Sequence, residues 1–142
     1  TPFTDATFRR ARAERPPIDV VEVRADGAHL AALWRQRQAF YPADRPDLLH
    51  AFVLDALKVD DVEAGHRAVA AYRIEDRIAS IRQPTLLIRA PDDPFAASHA
   101  AEWLAHLPQA QAVDIAGGMV PLPDQLPQAF ADAVLRFLDA RR

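Results

Sequence analysis

Two adjacent carboxylates, Asp92 and Asp93, stand just beyond an almost purely aliphatic run, Thr85-Leu86-Leu87-Ile88, which leaves Pro84 and continues as Arg89-Ala90-Pro91. A short apolar run bounded by prolines reads as a strand covered on both faces, and a carboxylate at its exit is a fixed hydrogen-bond acceptor. Such an acceptor can serve a site at the strand tip, or it can cap the following helix from a solvated turn. A second run, Ala112-Val113-Asp114-Ile115, ends in the glycine pair Gly117-Gly118, followed by Met119-Val120-Pro121.

Other chemistry is sparse. No two of the histidines stand three or four residues apart, no His-Glu-x-x-His occurs and the chain has no cysteine, so no metal site or thiol nucleophile is expected. His50 falls in a leucine-rich helical stripe, His66 shares an apolar face with Val62 and Val69, and His106 ends a helix where an imidazolium favours the dipole. All three suit structural roles. Gly117-Gly118 is a lone pair rather than a phosphate loop, and no cofactor is expected. Ser80 and Ser98 lack the flanking glycines of a nucleophile elbow. Arg9, Arg10, Arg12 and Arg15 could contact a phosphate or a carboxylate, but the acidic total favours a solvated helix face.

The elements that must position these groups are mostly helical before Gln83. Residues 4–14 read as a helix stopped by Pro16-Pro17, and 18–23 as a short strand or an extended connector. Leu30, Leu33 and Trp34 recur at helical spacing until Tyr41-Pro42. Asp44 can cap a helix with Pro46 in its first turn and Leu48, Leu49, Phe52, Val53, Ala56 and Leu57 along one side. Further helices are expected over about 62–73 and, as a short turn, 75–81.

Beyond Pro84 the pattern becomes strand (85–89), helix (Ala100, Trp103, Leu104, Leu107), strand (112–115) and a closing helix with Phe130, Ala133, Val134, Phe137 and Leu138 on one stripe. Strand-helix-strand implies a parallel crossover. Two parallel strands alone leave edges open, so more strands are expected from elsewhere.

Length and composition set the frame. A chain of 142 residues suits one domain, and a net charge of −3 implies no nucleic-acid partner. No apolar run approaches the roughly 20 residues needed to span a bilayer, and the lack of cysteine agrees with a cytoplasmic setting. Starting at Thr1 without a methionine, the chain reads as a fragment, a processed piece or a partial chain.

From Gln83 onward the chain resembles the α/β-hydrolase superfamily, whose last part runs proline, strand, Gly-x-x-Asp, helix, strand, Gly-His and a helix beginning near a proline. Pro84, Thr85 to Arg89, Ala90-Pro91-Asp92-Asp93, the helix to Leu107, Ala112 to Ile115, Gly117-Gly118, Pro127 and Phe130 to Leu138 follow that order. The resemblance implies an α/β fold class, with 83–142 as the C-terminal part of the core and 1–82 as a helical lid. It also implies a missing N-terminal half that supplies most of the sheet and the Gly-x-Ser-x-Gly nucleophile. Asp93 then falls at the acid that orients a histidine, although Ala90 replaces the usual glycine.

The family histidine should follow Gly118, where Met119 stands instead. Either Met119 occupies its place, or a histidine between the two is missing; a thioether cannot serve as the base. His99 and His29 are the candidate substitutes. The implied function is hydrolysis of a small organic ester, amide or related carbonyl compound. The alternative is a catalytically silent relative that binds a small ligand or partner. A third reading, an independent helical interaction domain, would leave the two strands no sheet to join.

Overall fold

The structure, a computed structural model, describes residues 2–95 and 97–142. The chain forms two compact units, 4–73 and 74–142, the second also taking in Phe3.

In the N-terminal unit, α1 (Ala6–Ala13) starts at Asp5, whose carboxylate accepts the Phe8 amide at 2.7 Å. This cap satisfies one of the donors that every helix start leaves unpaired. Residues 18–23 run as a connector rather than a strand. Asp19 interrupts the extended backbone with a φ of 66°, a left-handed conformation that aspartate tolerates better than most residues. Its buried carboxylate is gripped by Nε and Nη2 of Arg37. The Arg37 guanidinium in turn lies 5.6 Å and 5.2 Å from the ring centres of Phe40 and Phe52.

Helices α2 (Ala28–Arg37) and α3 (Pro46–Ala56) bury Leu33, Leu49 and Val53 together, with Trp34, Tyr41 and Phe52 packed against them. Pro46 takes the first helical position, where a missing N–H costs nothing, but the cap is Arg45 rather than Asp44 and makes no side-chain bond. Both apolar stripes are narrower than their spacing predicts, since Leu30 of α2 and Leu57, just past α3, are exposed. Helix α4 (Ala64–Ala71) completes the unit.

Exposed ion pairs fasten turns here. Arg67 forks onto Asp61, with Nη1 at 3.1 Å from Oδ1, and Arg45 forks onto Asp47. The hydrogen bond from Arg67, helped by its charge and only partly opposed by desolvation, holds the Asp61 carboxyl below the usual aspartate range. A folded-state pKa lowered in this way contributes stability above the ordinary aspartate value and loses it as pH falls through the lowered one. Carboxyl NMR titration should therefore find Asp61 protonating later than a free aspartate, and Arg67→Gln should return it to the ordinary range. An Asp61 titration unmoved by that substitution would show that the pair does not form.

In the C-terminal unit, two 3₁₀ turns, Ile74–Asp76 and Ile78–Ser80, bury Ile74 and Ile78 against Phe3 and Leu107. Phe3 meets Trp103 edge-on with ring centres 5.4 Å apart and stacks on His106 at 4.7 Å. Strand β1 (Thr85–Arg89), helix α5 (Ala100–His106) and strand β2 (Ala110–Asp114) follow. The strands pair in parallel, in register from Thr85 opposite Ala110 to Arg89 opposite Asp114, and the last pair is also an ion pair with Nη2 and Oδ2 2.7 Å apart. Ile88 and its partner Val113 pack on a cluster of Ile115, Leu122 and Ala133, supplied by the residue after β2, by α6 (Leu122–Gln125) and by α7 (Pro127–Asp139).

The α/β class expected from the resemblance is overturned. About half of the chain is helical, and the sheet among the described residues has only two strands, where the C-terminal part of an α/β-hydrolase would hold more. Nor is β1 buried on both faces: all five of its residues are half-buried, and Gln111, Ala112 and Asp114 of β2 are exposed. An aliphatic run reports that a segment is extended and apolar, but it does not count the strands beside it. No helix among the described residues is long and apolar enough to cross a membrane.

Candidate functional site

The carboxylate turn and the glycine turn meet at the carboxyl ends of the two strands. Asp93 N–H closes its own turn on the Ala90 carbonyl at 3.1 Å, and Asp92 N–H donates to the Gly118 carbonyl at 3.0 Å. On the other side, Ile115 N–H donates to the Arg89 carbonyl at 3.1 Å, and Gly118 N–H donates to the Ile115 carbonyl at 3.0 Å. Ligand crevices of parallel sheets lie outside the carboxyl ends of the strands, so the turns stand where a site would be built.

Gly118 makes the close approach possible. A Cβ there would stand 2.7 Å from Leu122 Cδ1, 2.8 Å from the Ile115 carbonyl oxygen and 3.3 Å from Ala90 Cα. The leucine tip can swing away, but the two backbone groups cannot do so without parting the turns. Gly118→Ala should therefore lose about 1–3 kcal/mol, the usual cost of overpacking, read by urea denaturation. Gly117, which has open space around its Cβ position, is held instead by a φ of 77°. Equal stability of Gly118→Ala and the parent would mean that the two turns have room for a methyl group.

Asp93 is buried, with 7% of its surface exposed, whereas Asp92 is exposed. The Asp93 Oδ1 accepts the Phe95 amide at 2.8 Å. This is the local capping geometry that the sequence leaves open, set in a buried turn rather than a solvated one. It fixes the rotation of the carboxylate.

Met119 is held by a residue that the sequence does not single out. Gln125 of α6 accepts the Met119 N–H through Oε1 at 2.8 Å and donates from Nε2 to the Gly117 carbonyl at 2.7 Å. One side-chain amide thus clamps both ends of the glycine turn. The only local signal for this is the proline start of α6, which places position 125 one turn beyond the loop.

The candidate bases separate. His99 lies in a 3₁₀ turn, Ala97–His99, with its ring 5.5 Å from that of Phe95, whose amide Asp93 accepts. Asp93, Gly118, Met119 and His99 therefore belong to one unit. His29 belongs to the N-terminal unit, where its Nδ1 accepts the Arg24 amide at 3.1 Å and is committed to a local turn. His50 is exposed on α3 rather than part of the leucine stripe, and His106 has Nδ1 2.8 Å from the Glu102 carbonyl.

An apolar hollow of about 290 Å³, lined by Ile81, Thr85, Leu87 and Trp103 among others, lies toward the start of the strands rather than at the Asp93 end. Among the described residues no group of three His, Cys, Asp or Glu converges to hold a metal.

No known protein family, curated protein or solved structure matches this chain.

Proposed function

We propose that the chain is part of a hydrolase acting on a small organic ester, amide or related carbonyl compound, with Asp93 as the acid that positions a base. The nucleophile comes from outside residues 1–142. The reading is supported by one observation: a buried carboxylate turn hydrogen-bonded to a glycine turn at the carboxyl ends of adjacent parallel strands. A carboxylate so fixed would hold an imidazole in one tautomer and stabilise the imidazolium formed when it takes the proton of a serine. The Phe95 amide, donating to Oδ1, holds the carboxylate in the turn at the strand tip.

The test is covalent. The full-length protein, treated with a serine-reactive fluorophosphonate, should take up one label per chain on a serine. A protein that stays unmodified overturns the hydrolase reading and favours the second one, binding of a small ligand without hydrolysis. That second reading is favoured by Met119, whose thioether accepts no proton at the turn beside Asp92.

A further inference from the structure

The N-terminal unit holds a cleft of about 430 Å³ between α1 and α4 that the proposed hydrolysis does not use. We infer that this cleft binds a small organic anion, a carboxylate carried on an apolar body. Its volume lies in the range of small-molecule sites. The charge on its walls is unbalanced: Arg9, Arg12, Arg15 and Arg67 line it against a single carboxylate, Glu63. Glu63 is engaged by Arg12, 2.8 Å away, by the Ile18 amide and by His66. Arg67 is engaged by Asp61. Arg9 donates to the Thr4 carbonyl at 2.6 Å; with Arg9 set aside and Asp61 counted, Arg12, Arg15 and Arg67 still outnumber the two carboxylates.

Arg15 carries the surplus most openly. Its side chain is exposed and has no intramolecular partner among the described residues. A guanidinium presents a planar fork of donors that matches a carboxylate. The rest of the cleft surface is apolar, built from Ala13, Pro17, Ala70 and Ala71. Cationic groups around such a floor select a ligand with an anionic end and an apolar end. A bare inorganic anion would use only the first, and a neutral hydrocarbon only the second.

The inference stands apart from the hydrolase reading, because its test measures binding alone. The full-length protein is titrated with 2-naphthoate, with 2-naphthylmethanol as a neutral counterpart and with inorganic phosphate, by ligand-detected NMR. Naphthoate should saturate, and the alcohol and phosphate should each bind about tenfold or more weakly. Arg15→Gln should weaken naphthoate by roughly three- to tenfold and leave the alcohol unchanged, while Arg15→Lys recovers part of the loss. Added salt should weaken naphthoate alone. Because Arg15 is exposed, these variants keep the fold, which circular dichroism checks. The inference is overturned if naphthoate does not saturate at millimolar concentration, if the alcohol or phosphate binds as tightly, or if Arg15→Gln has no effect.

Discussion

Glu63→Ala should destabilise the N-terminal unit by about 3–5 kcal/mol, the usual cost of removing one partner of a buried ion pair. The Glu63 side chain is 8% exposed and joins three segments. Its Oε2 accepts from Arg12 at 2.8 Å, and its Oε1 accepts the Ile18 amide and lies 3.2 Å from His66 Nδ1. Alanine leaves the Arg12 guanidinium, 14% exposed, with only the carbonyls of Arg15 and Pro16, at 3.4 and 3.2 Å. It also leaves the Ile18 N–H without its acceptor, a further desolvation cost. Glu63→Gln, which keeps the shape and one acceptor oxygen, should fall between alanine and the parent. Adding Arg12→Met to Glu63→Ala should recover part of the loss, because the stranded charge is then gone. Urea denaturation read by circular dichroism gives these differences. An alanine variant within about 0.5 kcal/mol of the parent, the range of ordinary surface changes, would show that Glu63 does not tie the segments together.

This hub also marks what local sequence patterns omit. Glu63 reaches Arg12 across 51 positions and Ile18 across 45. Nothing in the residues around Glu63 distinguishes it from any surface glutamate near a helix start. The arginines of α1, by contrast, read locally as a solvated face. For the exposed Arg10 that holds, but Arg12 is drawn inward by a partner that only the folded chain brings near. Asp19 is hidden for a related reason: its left-handed backbone and its grip on Arg37 break a run that alternates well enough to pass for a strand.

What is legible follows from short-range physics. Prolines and apolar period mark β1 at its observed ends and α7 within a few residues, because proline bounds and a one-sided stripe act on their own neighbourhood. Helix α3 shows its Pro46 start for the same reason. Fold class is another matter. It depends on how many strands share a sheet, and the run at Leu86–Ile88 would look the same in a sheet of two or of eight. The juxtaposition of Asp92 with Gly118 lies between these cases: each turn is visible from its own residues, and the parallel register that brings them together follows from the helix between the strands.

If Asp93 positions a base, Asp93→Asn should slow fluorophosphonate labelling of the full-length protein by about 10³–10⁴-fold, the order lost when a triad carboxylate becomes an amide. Asparagine suits this test because it retains an Oδ1 to accept the Phe95 amide, 2.8 Å away in the parent, while the charge is removed. Asp93→Ala removes both and should also lower the denaturation midpoint, as loss of a cap does by about 0.5–2 kcal/mol. The contrast separates positioning from structure. A purely structural Asp93 predicts that asparagine labels at the parental rate across the pH range and that alanine alone is impaired, through stability. A positioning Asp93 predicts that asparagine labels far more slowly than any loss of stability accounts for and that the pH dependence of labelling is altered, since the base it orients loses the carboxylate that favours its protonated form. Parental labelling by the asparagine variant would remove Asp93 from the reaction.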